Sequence, residues 1–191
     1  MEQQCRDLLQ ALPEAIAATE AAFRSGEYGP HPVNREPRTK LENPTGEFRE
    51  SHWEEALWRK YHHEGSGVVD GLWARILSYQ AMLRGNNRDD AGWGEIDLLA
   101  VTAEGSPVIV ELKREPSSET PLRMLPEGLA NAVAIRKCWQ IFGPNFNSRI
   151  TTLGLPCCNP PKTFPVICLA PDSYWHECFR KKCLPSPVRA S

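Results

Sequence analysis

Three ionisable side chains in the stretch GEIDLLAVTAEGSPVIVELKRE, residues 94–115, have the types and spacing to act together. Asp97 lies in the apolar run IDLLAV, and Glu111 and Lys113 lie in a second run, VIVELK. Both runs read as β-strands. Residues two apart in a strand share a face, so Glu111 and Lys113 point the same way, and Asp97 points with Leu99 and Val101. The turn decides how the two sets meet. If Ala103, Glu104 and Gly105 form a three-residue loop with Gly105 left-handed, Thr102 pairs with Ser106. Counting back along both strands then sets Asp97 directly opposite Glu111. A two-residue turn would send the two acids to opposite faces.

Directly opposed side chains have Cβ atoms about 4.5–5.5 Å apart, and like charges there oppose strand pairing. The arrangement makes sense if a positive charge sits between the carboxylates. A hard divalent cation, Mg²⁺ or Mn²⁺, fits, because such ions take oxygen ligands and are often held by one or two carboxylates plus water or phosphate oxygens. A bound cation acidifies water, and the ammonium of Lys113 beside Glu111 can orient the resulting nucleophile or steady developing negative charge. Two carboxylates, a lysine and a metal ion amount to a phosphodiester-cleaving constellation.

At these residues the sequence resembles the PD-(D/E)xK nuclease superfamily. The motif reads GEID, ending at Asp97, then thirteen residues, then ELK at Glu111, Leu112 and Lys113. The resemblance extends over the element order from about residue 51 to 171. It implies an α/β fold, a four-stranded mixed β-sheet flanked by helices with a restriction-endonuclease-like core. It also implies a metal held by Asp97, Glu111 and the backbone carbonyl of Leu112, with Lys113 assisting the attacking water and touching the nucleic acid. Many members add a Glu from the helix before the sheet. Glu54 suits this role, because Leu57, Trp58 and Tyr61 follow it at helical spacings and place it on the inward stripe. Glu55 and Glu64 stay open as alternatives.

The pattern departs from the family in two ways. No Pro-Asp pair precedes the hairpin acid, and no clear glutamine and tyrosine follow four residues apart in the next helix. Gln140 is the nearest candidate for the phosphate contact. The implied activity is Mg²⁺- or Mn²⁺-dependent hydrolysis of DNA phosphodiester bonds. The alternative is an inactive member of the same fold that binds DNA or protein.

Several elements must position these groups. A helix over about residues 51–64, with Ser51 as N-cap, carries Glu54. LWARILSYQAML follows as a strand, with Leu77, Tyr79, Ala81 and Leu83 on one face at period two. After the hairpin, residues 127–142 form a helix with Leu129, Ala132, Val133, Cys138, Trp139 and Phe142 inward. TFPVICLAP supplies a buried strand, and DSYWHECFRKKC a last helix capped by Asp172 or Ser173. Helices around one mixed sheet are the natural packing of this order.

The chain has 191 residues, 41% of them hydrophobic and 24% charged, enough for one domain with a substantial core. Residues 1–50 read as an N-terminal helix and a proline-rich arm, residues 51–183 as the nuclease-like domain, and residues 184–191 as a frayed tail. A formal net charge of −2 argues against tight, non-specific duplex binding by charge alone, though not against a local basic groove. Arg136 and Lys137, and the run RKK at 180–182, could flank a phosphate track, and Trp93 among glycines could stack on a base. DNA is the expected partner, and homodimerisation is left open.

Seven cysteines without CxxC spacing point to thiols rather than a metal knuckle. The adjacent histidines of YHHEG diverge by about 100° on a helix and fit a solvated helix end better than a zinc site. Apolar runs are too short to span a bilayer, and the polar, acidic N-terminus does not look like a signal peptide, so a cytoplasmic location is expected.

Overall fold

A computed structural model describes residues 49–62, 72–82, 95–114, 121–137 and 139–180. The expected N-terminal helix and arm up to residue 48, Glu64, Leu83, Trp93, Cys138 and the tail lie outside the described residues. Eight elements follow in order: α1 (Glu50–Tyr61), β1 (Arg75–Met82), β2 (Glu95–Val101), β3 (Pro107–Leu112), α2 (Pro121–Lys137), α3 (Trp139–Thr152), β4 (Val166–Leu169) and α4 (Asp172–Arg180).

The strands form one mixed sheet in the order β1-β2-β3-β4. β1 and β3 run antiparallel to β2, whereas β4 is parallel to β3. Two neighbouring strands of the same direction need a long crossover, and α2 and α3 supply it. Helices cover both faces. On one, Ala132 and Ile135 of α2 and Trp139, Phe142, Phe146 and Ile150 of α3 pack on Leu77, Ala81, Ile96, Leu99, Val101 and Ile109. On the other, Leu57, Trp58 and Tyr61 of α1 cover Ile76, Tyr79, Leu98, Ala100, Val108, Val110 and Leu112. A strand buried on both sides reads as an unbroken apolar run, which is why all six residues of β3 are buried. Tyr174 and Cys178 of α4 pack on Met124 in a smaller cluster. No helix among the described residues is long and apolar enough to cross a membrane.

The β2–β3 turn has the form its residues dictate. The Thr102 amide donates to the Ser106 carbonyl at 2.9 Å, and Gly105 adopts φ +83°. The pairs Leu98↔Val110, Leu99↔Ile109 and Ala100↔Val108 set the same register that aligns Asp97 with Glu111. A Cβ at Gly105 would lie 1.8 Å from the Pro156 carbonyl oxygen. Gly105→Ala therefore meets both a left-handed backbone and a backbone clash, and is expected to destabilise by at least about 2 kcal/mol. Urea denaturation of the variant checks this.

Three expectations need correction. β1 does not keep period two. Its register with β2 shifts between Ile76 and Ser78, and Gln80 has φ +47°. Leu77 and Ala81 therefore face α2 and α3, while Tyr79 joins Ile76 under α1. The carbonyl of Leu77 accepts instead from Trp58 Nε1 at 3.2 Å and Arg149 Nη2 at 2.7 Å.

The helix expected over 127–142 is two helices. The first starts at Pro121 and tolerates Pro126 in its sixth position, and the second runs on through Gly143 and Pro144. Gly143 lies so close to the Trp139 indole that a Cβ there would come within 2.7 Å of it. The fully buried stripe of α2 also falls on Gly128, Asn131, Ala132 and Ile135, whereas Leu129 and Val133 are only half-buried.

Finally, α1 begins at Glu50 with Arg49 rather than Ser51 as N-cap. His52 Nδ1 accepts from the Arg49 amide at 2.8 Å, which closes the helix start one turn from Glu54. α4 likewise begins at Asp172, one residue earlier than a cap there would require.

Candidate acidic metal centre

The acids meet where the first turns of α1 cross the adjoining ends of β2 and β3. Glu50 and Glu54 are four residues apart and so share one face of α1. Each of Glu50, Glu54 and Asp97 offers a carboxylate oxygen, and these oxygens all lie within 4.8 Å of one another. Among the described residues, no other such convergence of three or more His, Cys, Asp or Glu side chains occurs.

Glu54 is 3% exposed, and its Oε2 is buried without a hydrogen-bond partner. Its neighbour Glu55 is also buried, but it belongs to a different arrangement: Arg59 binds its Oε1 through Nη2 at 2.7 Å and Nε at 3.0 Å. Of the two neighbouring acids it is therefore Glu54, not Glu55, that joins Glu50 at Asp97. Asp97 Oδ2 accepts from the Leu112 amide at 2.6 Å, which ties the end of β3 to the acid on β2.

Glu111 faces α2. Asn131 Nδ2 donates to its Oε1 at 2.8 Å and lies 3.4 Å from the Glu95 carbonyl. Gly128, one turn earlier, lets the helix sit close over the strand, since a Cβ there would come within 3.1 Å of Glu111 Cγ and 2.5 Å of Val166 Cγ1. Cys168 pairs with Glu111 across β3 and β4. Lys113 is buried, with Nζ 3.2 Å from Glu50 Oε1, and the Arg114 amide donates to Glu50 Oε2 at 3.2 Å.

Burial dominates the electrostatics. Loss of water, followed by repulsion from Asp97, Glu50 and Glu95, pushes the Glu54 carboxyl up to about 9. Loss of water and then the charge of Asp97 raise Glu111 to about 9, against the opposing hydrogen bond from Asn131. Asp97 is raised to about 7, first by loss of water; the Leu112 amide and the Lys113 ammonium restrain the rise. Several acids in one dry place cannot all ionise without compensating positive charge. A hard divalent cation with oxygen ligands supplies such charge, and the orphaned oxygen of Glu54 is a position it would fill.

The other proposed contacts lie elsewhere. Arg136, Lys137 and Gln140 are exposed around the α2–α3 junction, and Arg136 and Lys137 sit roughly 8 Å beyond Asn131 along the helix. Arg180 binds Glu177 through Nη2 at 2.8 Å, so the first residue of the RKK run is engaged within its own helix. His62 Nδ1–H donates to the Ile76 carbonyl at 3.0 Å and the ring stacks on Trp58, holding the edge of β1. Among the described residues, Cys157, Cys158, Cys168 and Cys178 are thiols outside any disulfide.

Sequence reasoning missed Glu50, Asn131 and Gln80. Glu50 was hidden by starting the helix one residue too late, although its four-residue spacing from Glu54 was readable. Asn131 follows Gly128 by three residues, a spacing that marks a shared face, but neither residue is apolar enough to signal burial. Gln80, whose side chain hydrogen-bonds Glu54, carried no signal that a strand pattern could reveal.

No family model, curated protein or solved structure matches the chain.

Proposed function

We propose that the protein is a Mg²⁺- or Mn²⁺-dependent nuclease of the PD-(D/E)xK type, with a restriction-endonuclease-like core, that hydrolyses DNA phosphodiester bonds. One observation carries this reading. The buried carboxylate of Glu54 on a helix meets the half-buried carboxylates of Glu50 and of Asp97 on a hairpin strand, with an orphaned oxygen at Glu54. Such a cluster is unfavourable for folding, so a purely structural role gives no reason to keep it.

Glu54 and Asp97, which already converge, would hold the cation together with the carbonyl of Leu112; Glu111 lies outside the converging trio and would join them by turning its carboxylate toward Asp97. When bound, the cation supplies the charge that lets these acids ionise together, and Lewis acidity toward water and a phosphate oxygen. The chain's own groups do the rest. Asn131 fixes one oxygen of Glu111, and the Leu112 amide fixes one oxygen of Asp97. The Lys113 ammonium, largely removed from solvent, adds positive charge beside the acids, where it can orient the attacking water and stabilise charge on the phosphate.

The test is nicking of supercoiled plasmid and of branched DNA with Mg²⁺ or Mn²⁺, compared with chelator. Cation-dependent nicking is expected. Binding of Mn²⁺ without cleavage of any DNA substrate would overturn catalysis and leave an inactive module of the same fold.

A further inference from the structure

We infer that Glu50 is a positioning residue for Lys113 and not a ligand of the cation; the inference rests on the nuclease reading above. The three converging acids differ in what already occupies their oxygens. Glu54 has one oxygen buried and unpartnered, and Asp97 spends Oδ2 on the Leu112 amide. Glu50 has both oxygens engaged, Oε1 by Lys113 Nζ and Oε2 by the Arg114 amide, each at 3.2 Å.

These two contacts fall on consecutive residues. One carboxylate in the first turn of α1 thus grips the chain just past the end of β3 at both a side chain and a backbone amide. A lysine stem is long and rich in rotamers, so an ammonium needs such an anchor to stay at a fixed point. Glu50 also needs a positive partner, because like charges four residues apart on a helix repel. The groups facing this spot are Glu50 and Glu54 from α1, Glu95 and Asp97 from β2, Glu111 from β3 and Lys113 just past its end; Glu127 of α2 adds negative charge beside Glu111. Lys113 offsets the charge of Asp97 and Glu111, and Glu50 anchors its ammonium.

A double-mutant cycle between Glu50→Ala and Lys113→Ala, read as single-turnover cleavage of plasmid DNA, tests this. Mn²⁺ affinity is measured by calorimetry on the same proteins, and folding by circular dichroism. Glu50→Ala should lower the cleavage rate about 10–100-fold, the range for groups that orient a functional side chain. It should leave Mn²⁺ affinity within about threefold, and cost almost nothing further once Lys113 is gone. Glu50→Gln, which keeps an acceptor at the same reach, should recover part of the rate, and it carries the test if the alanine variant does not fold. Losses that add independently, or a loss of Mn²⁺ affinity parallel to that of Glu54→Gln, would overturn the inference while leaving the nuclease reading standing. A wild-type protein that neither binds Mn²⁺ nor cleaves DNA sinks the nuclease reading, and this inference with it.

Discussion

On the nuclease reading, Asp97→Asn is expected to lower cation-dependent DNA cleavage at least about 10³-fold, and Lys113→Ala to lower it about 10²–10³-fold while Mn²⁺ still binds. The two effects differ in kind. Asp97 sits at the centre of the cluster, within reach of Glu54 and Glu50, and repels Glu111 from the neighbouring strand. An asparagine oxygen can still accept from the Leu112 amide, so the local fold survives. What disappears is the negative charge that a cation needs. Lys113 contributes charge of the opposite sign, so its loss should spare cation binding and act on the chemical step. Initial nicking rates, with Mn²⁺ titrations on each variant, separate the two. Equal rates in wild type and both variants would end the nuclease reading.

This division follows from the topology. The acids come from three elements that meet at one end of the sheet, and each is held by a different partner: Leu112 for Asp97, Asn131 for Glu111 and Lys113 for Glu50. Glu54 alone keeps a buried oxygen unpartnered. A cluster in which a group as buried as Glu54 is the least satisfied is stable only because the surrounding core over-determines it. The same trade appears in the backbone, where Gln80 holds a left-handed conformation beside the Glu54 carboxyl it hydrogen-bonds.

The hairpin was legible in the sequence because a single residue governs it. Gly105 selects the loop length, loop length selects the register, and register places every side chain of both strands. Glu54 was legible because three apolar residues at helical spacing define its face. The features that escaped are those set by distant contacts. The bulge in β1 follows from packing against α1 and α3, whose Trp58 and Arg149 take up the carbonyl that the bulge releases. Pro126 and the Gly143–Pro144 pair read locally as helix boundaries, yet tertiary packing carries both helices through them. The buried face of α2 was displaced because Gly128 and Asn131 are chosen for closeness to Glu111 and a hydrogen bond to it, and neither looks like core.

Without added cation, the protein is expected to lose stability as pH rises from about 5 to about 9, and Glu54→Gln is expected to remove much of that loss. The sign follows from the direction of the shifts. Glu54 and Glu111 are raised from the ordinary 4.5 to about 9, so the folded state binds protons that the unfolded state has already released. Their contribution is fully present below the ordinary carboxylate range and is lost as pH climbs through the folded values. Most proteins with paired carboxylates behave in the opposite way over the acid limb. By pH 8 a buried carboxyl of this kind costs on the order of 3 kcal/mol, or about 6–12 °C in melting temperature for a chain of this size. Glutamine keeps the shape of Glu54 and removes its titration, so Glu54→Gln should melt well above wild type at pH 8 and close to it at pH 5. Saturating Mn²⁺ should reverse the order at pH 8 by stabilising wild type alone, because a cation that binds the folded state stabilises it by mass action. Thermal melts at both pH values, with Mn²⁺ and with chelator, read all four conditions. A wild-type protein whose cation-free stability climbs from pH 5 to 8, or a Glu54→Gln variant less stable than wild type at pH 8, would show that these acids are already satisfied and await no ion.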